Sequence, residues 1–493
     1  MVKEGKFYVT TPIYYVNDVP HIGHAYTTII ADVLARWHKL LGKEVFFLTG
    51  TDEHGAKIQH IAKEKKKKPK QFVDGIVKEF QKAWKVLNID YDSFIRTTDA
   101  KHEKAVSKVL QEFYDKKIIY KGKYESHYCE GCEQYKTPGE LVDGLCPDHK
   151  TEPEFRSDEA YLLKLSVFRD KLLKQIEKDK FMIEPVERKN EILSFLRNEE
   201  LHDISISRLK EEVSWGVELP FDKNHTCYVW IDAFLNYLTG IGWPLVSYKK
   251  WWSPDVQLMS KDILRVHSTI WPYMASSLGL DLPKRLFIHG YFTVNGQKMS
   301  KSLKNVINPI DFVKKYGADA VRYYIMRAIP MGRDGDVSES NLKERYNNEL
   351  ANKLGNLVSR VGGMASRDGS IIKSNIAPEL AEKLNLPLIQ DYMEKMFLDR
   401  ALNEIFMFVE ACNEYVQKKQ PWTLEGDERN DVLYTLLDSI RIISILVSPF
   451  VPEAAEKINK HFGFGKPLLK NCKFGLTKSG KIKKPEILFK KIE

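Results

Sequence analysis

Apolar positions along this chain follow two rhythms, and the switches between them outline the fold. Phe7-Tyr8-Val9 and Ile13 make a short apolar run, broken at Pro12, that reads as a buried strand. Beyond Gly23, residues Tyr26, Ile29, Ile30, Val33, Leu34, Trp37, Leu40 and Leu41 recur at spacings of three and four, one face of a helix. Further strands are expected at Glu44–Leu48, Val256–Met259 and Arg285–His289. Strands separated by helices predict a doubly wound α/β sheet. Residues 118–225 interrupt the alternation, and the sheet is expected to resume at Thr226–Tyr237. Asn308-Pro309-Ile310-Asp311 is a helix start, with an Asn cap, Pro in first position and an acid in the first turn. From about Ser338 the strand rhythm vanishes. Amphipathic helices through 338–365, 389–419 and 428–447 predict an all-α bundle.

Composition narrows the class. A chain of 493 residues exceeds what one hydrophobic core supports, so several units are expected. With 43% hydrophobic and 29% charged residues it is an ordinary globular protein. Apolar runs stay short of the ~18–20 residues of a membrane helix, and Met1–Gly5 leads straight into a strand. Neither a membrane span nor a signal peptide is expected, and a cytoplasmic location is. The net charge of +9 permits a polyanionic partner without requiring one. Six lysines between Lys63 and Lys70 read as a solvated helix end rather than a nucleic-acid patch.

Six cysteines are too few for a disulfide scaffold, and three of them cluster. Cys129 and Cys132 are followed by Cys146 and His149, two knuckles with two-residue gaps. Three thiolates and one imidazole make a closed tetrahedral set for one structural zinc ion, with no position left open for chemistry. His127 competes for the fourth position, with poorer geometry beside Cys129.

Candidate chemistry gathers at strand ends. A strand, a small-residue turn and a helix N-terminus bind anions, because free N–H groups and the positive end of the helix dipole face the ligand. His21-Ile22-Gly23-His24 occupies such a turn: two imidazoles one helical turn apart can donate to one phosphate chain, and Gly23 lets a base or ribose approach the backbone. Lys298-Met299-Ser300-Lys301-Ser302 puts two ammonium groups three residues apart on a glycine-bearing loop that can close over a triphosphate. Asp52, at the carboxyl end of the second strand, can hold an amine or a ribose hydroxyl, or cap a helix.

These two motifs, in this order and separation, resemble the class I aminoacyl-tRNA synthetases, and the residues around them resemble the methionyl-tRNA synthetase family. The resemblance covers nearly the whole chain and is weakest towards its end. It implies a Rossmann-like parallel-sheet catalytic domain in two halves (1–117 and 226–290), split by a connective insert with the zinc knuckle (118–225). A lysine-loop and stem-contact region (291–337), an α-helical anticodon-binding domain (338–470) and a C-terminal peptide (471–493) would follow. The implied activity is methionine–tRNA ligation. ATP with Mg2+ activates L-methionine to methionyl-adenylate, and the methionyl group passes to the 3′-terminal adenosine of tRNA(Met), initiator and elongator.

By the same resemblance His21, His24, Lys298 and Lys301 are the expected catalytic residues, and His21, Gly23, His24, His289, Gly290 and Lys301 the expected ATP contacts. Ile13, Tyr15, Trp230, Ala233, Tyr237, Val266, His267 and Trp271 would wall a thioether pocket, with Asp52 and Asp262 on the substrate ammonium. Aromatic shape and sulfur–ring contact are what can discriminate an unbranched thioether. Val266, Ser260 and Lys304 depart from the family pattern. Asn356, Arg360 and Trp422 match anticodon-reading positions, where RNA bases are read by stacking and by hydrogen bonds to their edges. No oligonucleotide-binding barrel is appended, so a monomer is expected. Two alternatives stay open: another class I synthetase, such as a cysteinyl one, and a non-catalytic tRNA-binding protein.

Overall fold

The computed structural model describes residues 5–131, 134–136, 141–147, 149–299 and 305–492. Among them the central element is a seven-stranded parallel sheet. Its strands run Ser93–Arg96, Glu44–Asp52, Lys6–Thr10, Val256–Ser260, Arg285–His289 and Met182–Glu184, with Tyr14–Tyr15 pairing along the carboxyl end of Glu44–Asp52. Alternation sends Phe7, Val9, Phe47, Leu258 and Phe287 into one core and Tyr8, Leu48, Met259, Leu286 and Ile288 into the other. Burial on both faces is why these strands read as unbroken apolar runs.

The sheet departs from the sequence expectation twice. Met182–Glu184, inside the stretch expected as insert, is an edge strand against Arg285–Phe287; three residues carry no readable periodicity. Asp222–Cys227, where the sheet is expected to resume, instead joins Ser207–Leu209 and Glu218–Leu219 in a small antiparallel sheet. The main sheet resumes only at Val256. The insert itself is built on a long antiparallel pair, Ile119–Cys129 against Glu154–Leu163.

The helical half also differs in detail. Ser338 caps the expected helix, its Oγ accepting from Asn341 N–H at 3.2 Å. That helix then runs as Glu339–Arg345, a π-helical stretch Tyr346–Gly355, and Asn356–Arg367. The stretch 389–419 is two helices, Leu386–Glu394 and Leu398–Lys419. Met396 takes a φ of +63° there and Phe397 N–H turns back to the Tyr392 carbonyl at 2.8 Å. The break leaves no trace in the pattern, because Met393, Met396 and Leu398 stay buried across it. Gly426–Val447 is the third long helix. The C-terminal peptide folds back on the bundle: Gly480–Lys481 pairs with Ser370–Ile371, and Ile492 exchanges two hydrogen bonds with the Asn347 side chain, at 2.8 and 2.9 Å. Gly362 makes room for it, since a Cβ there would lie 2.7 Å from Pro485.

One buried side chain ties the halves together. Arg322, on the helix Ala318–Ala328, lies 2.6 Å from Asp32 of the helix Ile22–Leu40. It also donates to the carbonyls of Pro449 at 2.7 Å, Phe450 at 3.1 Å and Leu87 at 3.3 Å. A buried guanidinium is tolerated only with its charge and donors met, so the ion pair also fixes how the bundle sits on the sheet domain.

Candidate active site

The helix Ile22–Leu40 opens on a reciprocal capping box made of histidines. His21 Nδ1 accepts from Gly23 N–H at 3.1 Å, and His21 N–H donates to His24 Nδ1 at 3.3 Å. A backbone N–H can only donate. Both Nδ1 atoms therefore carry lone pairs, and each neutral ring holds its proton on Nε2. The rings stack at 3.7 Å between centroids, 19° from parallel. Burial pushes His24 well below the usual imidazole range, and the neighbouring His21 adds to it.

The lysine motif arrives at the same place. Phe292–Val294 and Gln297–Lys298 form a hairpin turned at Asn295-Gly296, with φ of +51° and +74°. That is the turn geometry Asn-Gly favours between twisted strands. Gly296 N–H is fixed by Asp336 Oδ1 at 2.7 Å. Met299 then leans on Gly23, its Cε 3.7 Å from where a Cβ would stand. Beyond the loop the Ile307 carbonyl accepts from Ile22 N–H at 3.0 Å. Lys301, Lys304 and the side chain of Lys298 lie outside the described residues.

His289 and Gly290 are organised inward. His289 Nδ1–H donates to the Gly290 carbonyl at 2.8 Å, and Nε2 accepts from the Thr27 hydroxyl at 2.6 Å, with burial holding the ring below its ordinary range. A Cβ on Gly290 would lie 2.1 Å from the Arg333 carbonyl oxygen, so this glycine admits the backbone of residues 333–334.

Most of the expected pocket residues gather on one core, while Tyr15 packs against the other. Tyr237, His267 and Trp271 are buried at the base of the first, and Ile13, Trp230 and Val266 pack half-buried around them. His267 Nδ1–H donates to the Ile263 carbonyl at 2.9 Å, which leaves Nε2 to accept from Tyr237 O–H, also at 2.9 Å. Burial pushes His267 down to about 4, so it stays a neutral acceptor. The Trp271 indole donates to Gln257 Oε1 at 3.1 Å. Sequence reasoning missed Phe234, which packs on His267 at 4.9 Å and on Trp271 at 6.0 Å. Its spacing of four from Trp230 was the available signal.

The two expected carboxylates stand differently. Asp52 is buried beside Tyr15, its partner in the strand register, and its charge reaches His54. Asp262 is exposed, accepts from the Ser260 hydroxyl and acts electrostatically on His289. It does not cap its helix, as its position at the start would suggest. Ser260, one of the departures from the family pattern, thus has a structural use.

A second buried cluster was not anticipated. Asp232, between Trp230 and Ala233 on the helix Val229–Phe234, accepts from His54 Nδ1 at 2.7 Å and from His102 Nε2 at 2.8 Å. His102 Nδ1 meets the Thr239 hydroxyl at 2.7 Å, and Glu103 lies 3.5 Å from His54 Nε2. Burial alone would lower His54, but the Asp232 charge and hydrogen bond raise it to about 10, while Asp232 falls to about 2. No local pattern joins residues 54, 102 and 232.

In the insert, Cys129, Cys146 and His149 bring their ligand atoms within 4.8 Å of one another, each sulfur 3.9 Å from His149 Nδ1. Tetrahedral zinc with bonds of roughly 2.0–2.3 Å has ligand–ligand edges of roughly 3.5–3.8 Å, so these three could hold a metal. Cys132 lies outside the described residues. His127 packs edge-on against Phe155 and is not one of the three.

In the bundle, a groove of about 610 Å3 is lined by Asn352, Lys353, Asn356, Arg360, Glu410 and Asn413, among others. The Arg360 guanidinium lies 5.6 Å from the Trp422 ring centre, and Trp422 is 47% exposed. Asn356 and Arg360 line the groove, Trp422 lies beside it against Arg360, and Asn352, one turn before Asn356, joins the lining. The six lysines from Lys63 to Lys70 are exposed on the end of one helix, Ala56–Glu64, the start of the next, Pro69–Val86, and the turn between them.

Comparison with known proteins agrees in both halves. The family described as tRNA synthetases class I (M) matches residues 7–152 and 137–362, and the anticodon binding domain of methionyl tRNA ligase matches 368–493. The methionine–tRNA ligase of Caldanaerobacter subterraneus subsp. tengcongensis is 45% identical over 99% of this chain and 79% of its own length. That of Thermotoga maritima is 41% identical over 99% of this chain and 80% of its own. The Mycobacterium tuberculosis methionyl-tRNA synthetase in complex with methionyl-adenylate superimposes with a TM-score of 0.93 at 34% identity, covering 98% of this chain and 99% of that one. Its free state gives 0.86 at 32%, covering 99% of each.

Proposed function

The chain belongs to the methionyl-tRNA synthetase family of class I enzymes, and from that premise we propose which of its residues carry the two steps. It activates L-methionine with ATP and charges tRNA(Met). In the first step the methionine carboxylate attacks the α-phosphate, forming methionyl-adenylate and releasing pyrophosphate. The nucleophile belongs to the substrate, so the protein's task is positioning and charge stabilisation.

His21 and His24 present Nε2–H to the phosphate chain, with the helix dipole behind them. Burial keeps His24 neutral across the physiological range, so it stays a donor there. Lys298 and Lys301 take the charge that builds on the departing pyrophosphate. Gly23 admits the adenosine, and His289, through Thr27, positions the first helical turn beside it. Gly290 supports this floor from below. Asp52 and Asp262 hold the methionine ammonium, and Trp230, Ala233, Tyr237, Val266, His267 and Trp271 enclose the thioether, with Ile13 and Tyr15 at the mouth. In the second step the 2′-hydroxyl of the terminal adenosine takes the methionyl group. Asn356, Arg360 and Trp422 read anticodon bases far from that chemistry.

Mg2+ enters with ATP as part of the substrate. Cys129, Cys132, Cys146 and His149 would hold one zinc ion, whose contribution is a structural cross-link in the insert. Cys146→Ser should lower bound zinc from about one per chain to below a tenth, read by elemental analysis. One protomer is proposed as the working unit; light scattering checks it. We propose the cytoplasm as the working compartment; the five described cysteines form no disulfide, as suits a reducing environment.

The observation that carries this reading is the meeting of Met299 and Ile307 with the His21–His24 cap. Amino-acid-dependent exchange of pyrophosphate into ATP, across the standard amino acids, tests it. Exchange with methionine alone, collapsing in Lys301→Ala, is the expected result. Exchange with another amino acid would overturn the pocket, and tRNA binding without exchange would overturn the catalytic roles.

A further inference from the structure

The His54–Asp232–His102 cluster has the outline of a proton relay, yet the activation step gives it no proton to move, because the nucleophile there is the methionine carboxylate. All three side chains are almost completely buried. Apolar residues of similar volume would be less costly to bury, so what the hydrogen-bonded trio adds is fixed geometry. Both carboxylate oxygens of Asp232 are used, by rings from two different elements, which sets the position and the plane of the carboxylate. His54 belongs to the segment just after Asp52, at the end of the strand Glu44–Asp52. His102 belongs to the helix Ala100–Asp115 and reaches on to Thr239. Trp215 braces the His54 side, donating its indole N–H to the Glu53 carbonyl and accepting from Gly55 N–H at 2.9 Å.

We propose that this cluster is a positioning device for methionine, holding the strand end that carries Asp52 against the helix that carries Trp230 and Ala233. The proposal rests on the methionine-pocket reading given under Proposed function. Asp232 lies between Trp230 and Ala233 in the chain, so any slip at Asp232 moves both walls together. His54 lies two residues beyond Asp52, so the same hydrogen bond sets the distance from the ammonium site to the thioether site. The substrate spans that distance, and a small error in it lowers affinity for methionine without touching the ATP site.

The test measures methionine-dependent pyrophosphate exchange in His54→Gln and Asp232→Asn, with KM determined separately for methionine and ATP. Trp230→Ala serves as the control for the pocket itself. A methionine KM raised roughly tenfold in both variants, with the ATP KM within about twofold of wild type, is the expected result. An unchanged methionine KM in His54→Gln, with Trp230→Ala raising it, would overturn the proposal and leave the pocket standing. An unchanged methionine KM in Trp230→Ala overturns the pocket reading and the proposal with it. Should Asp232→Asn fail to fold, His54→Gln decides alone, because its amide takes the place of Nε2 and leaves the Nδ1 bond to Asp232 unmade while His102 still holds the carboxylate. A merely structural role would lower kcat in proportion to the folded fraction and leave both KM values where they were.

Discussion

Two pairs of histidines lie at the carboxyl end of the sheet, and one member of each is shifted in the opposite direction. His21 and His24 stack on each other, cap one helix with their Nδ1 atoms and meet backbone N–H groups. His54 and His102 take the two oxygens of one buried carboxylate. The first environment drives His24 far below its ordinary pKa, and the second raises His54 to about 10. The residue type is the same, and burial, partial for the first pair and almost complete for the second, lowers His24 and His54 alike, so it does not account for the opposite shifts. What differs is Asp232, brought in from a distant part of the chain, which turns a neutral donor site into an ion pair.

The sharpest way to break the contrast is to remove that carboxylate. Asp232→Leu should cost about 3–5 kcal/mol of stability, because a buried imidazolium loses its counter-charge; denaturant unfolding measures it. The corresponding change at the first pair should act on rate instead. The amide of Asn occupies the place of Nδ1 and that of Gln the place of Nε2. His24→Asn should therefore fold like wild type and lose about 10²–10³-fold in pyrophosphate exchange, while His24→Gln keeps more activity and loses about 1 kcal/mol of cap energy. Equal activity in the two variants would mean that the tautomer assignment is wrong.

The same contrast shows what the sequence could reveal. Helix Ile22–Leu40 was legible because its apolar spacing, its turn and its histidine spacing all lie within one short window. The pairing of that turn with Lys298–Ser302 was legible only through resemblance, since no periodicity links positions so far apart. The pocket aromatics were expected on the same ground, and Phe234, which packs on His267 and Trp271, was overlooked. Met182–Glu184 and the Met396 break were invisible for a different reason: one strand is too short to show alternation, and the other interruption keeps its apolar residues buried. The His54–Asp232–His102 cluster needs three elements to meet, and only the fold supplies that.

Stability against pH separates the pairs by sign. His54 has its folded pKa raised, so the folded state keeps a proton that the unfolded chain releases above about 6.5. Its contribution is complete below that value and is lost as pH rises towards and through about 10. His24 is depressed, so the unfolded chain gains a proton below about 6.5 that the folded state refuses, and its effect appears on acidification. Each limb should approach a slope of about 1.4 kcal/mol per pH unit for the one proton involved. Comparing unfolding midpoints from acid to alkaline pH, His54→Gln should flatten the alkaline limb and His24→Asn the acid limb. A variant that flattens the opposite limb would reverse the assignment.

His102 should show the smallest effect, and for an instructive reason. Its Nε2 donates to Asp232 and its Nδ1 meets the Thr239 hydroxyl, so it anchors the carboxylate by hydrogen bonds from a third element. In His102→Gln the side-chain amide can still donate to Asp232 while the contact with Thr239 is lost. The expected loss is about 0.5–1.5 kcal/mol, the net worth of one hydrogen bond, with the alkaline limb of the stability curve unchanged because the ion pair with His54 survives. If that limb instead flattened as it should in His54→Gln, the charge of the cluster would be shared between both rings. The contrast with His21 and His24 would then be one between two whole pairs rather than between single residues.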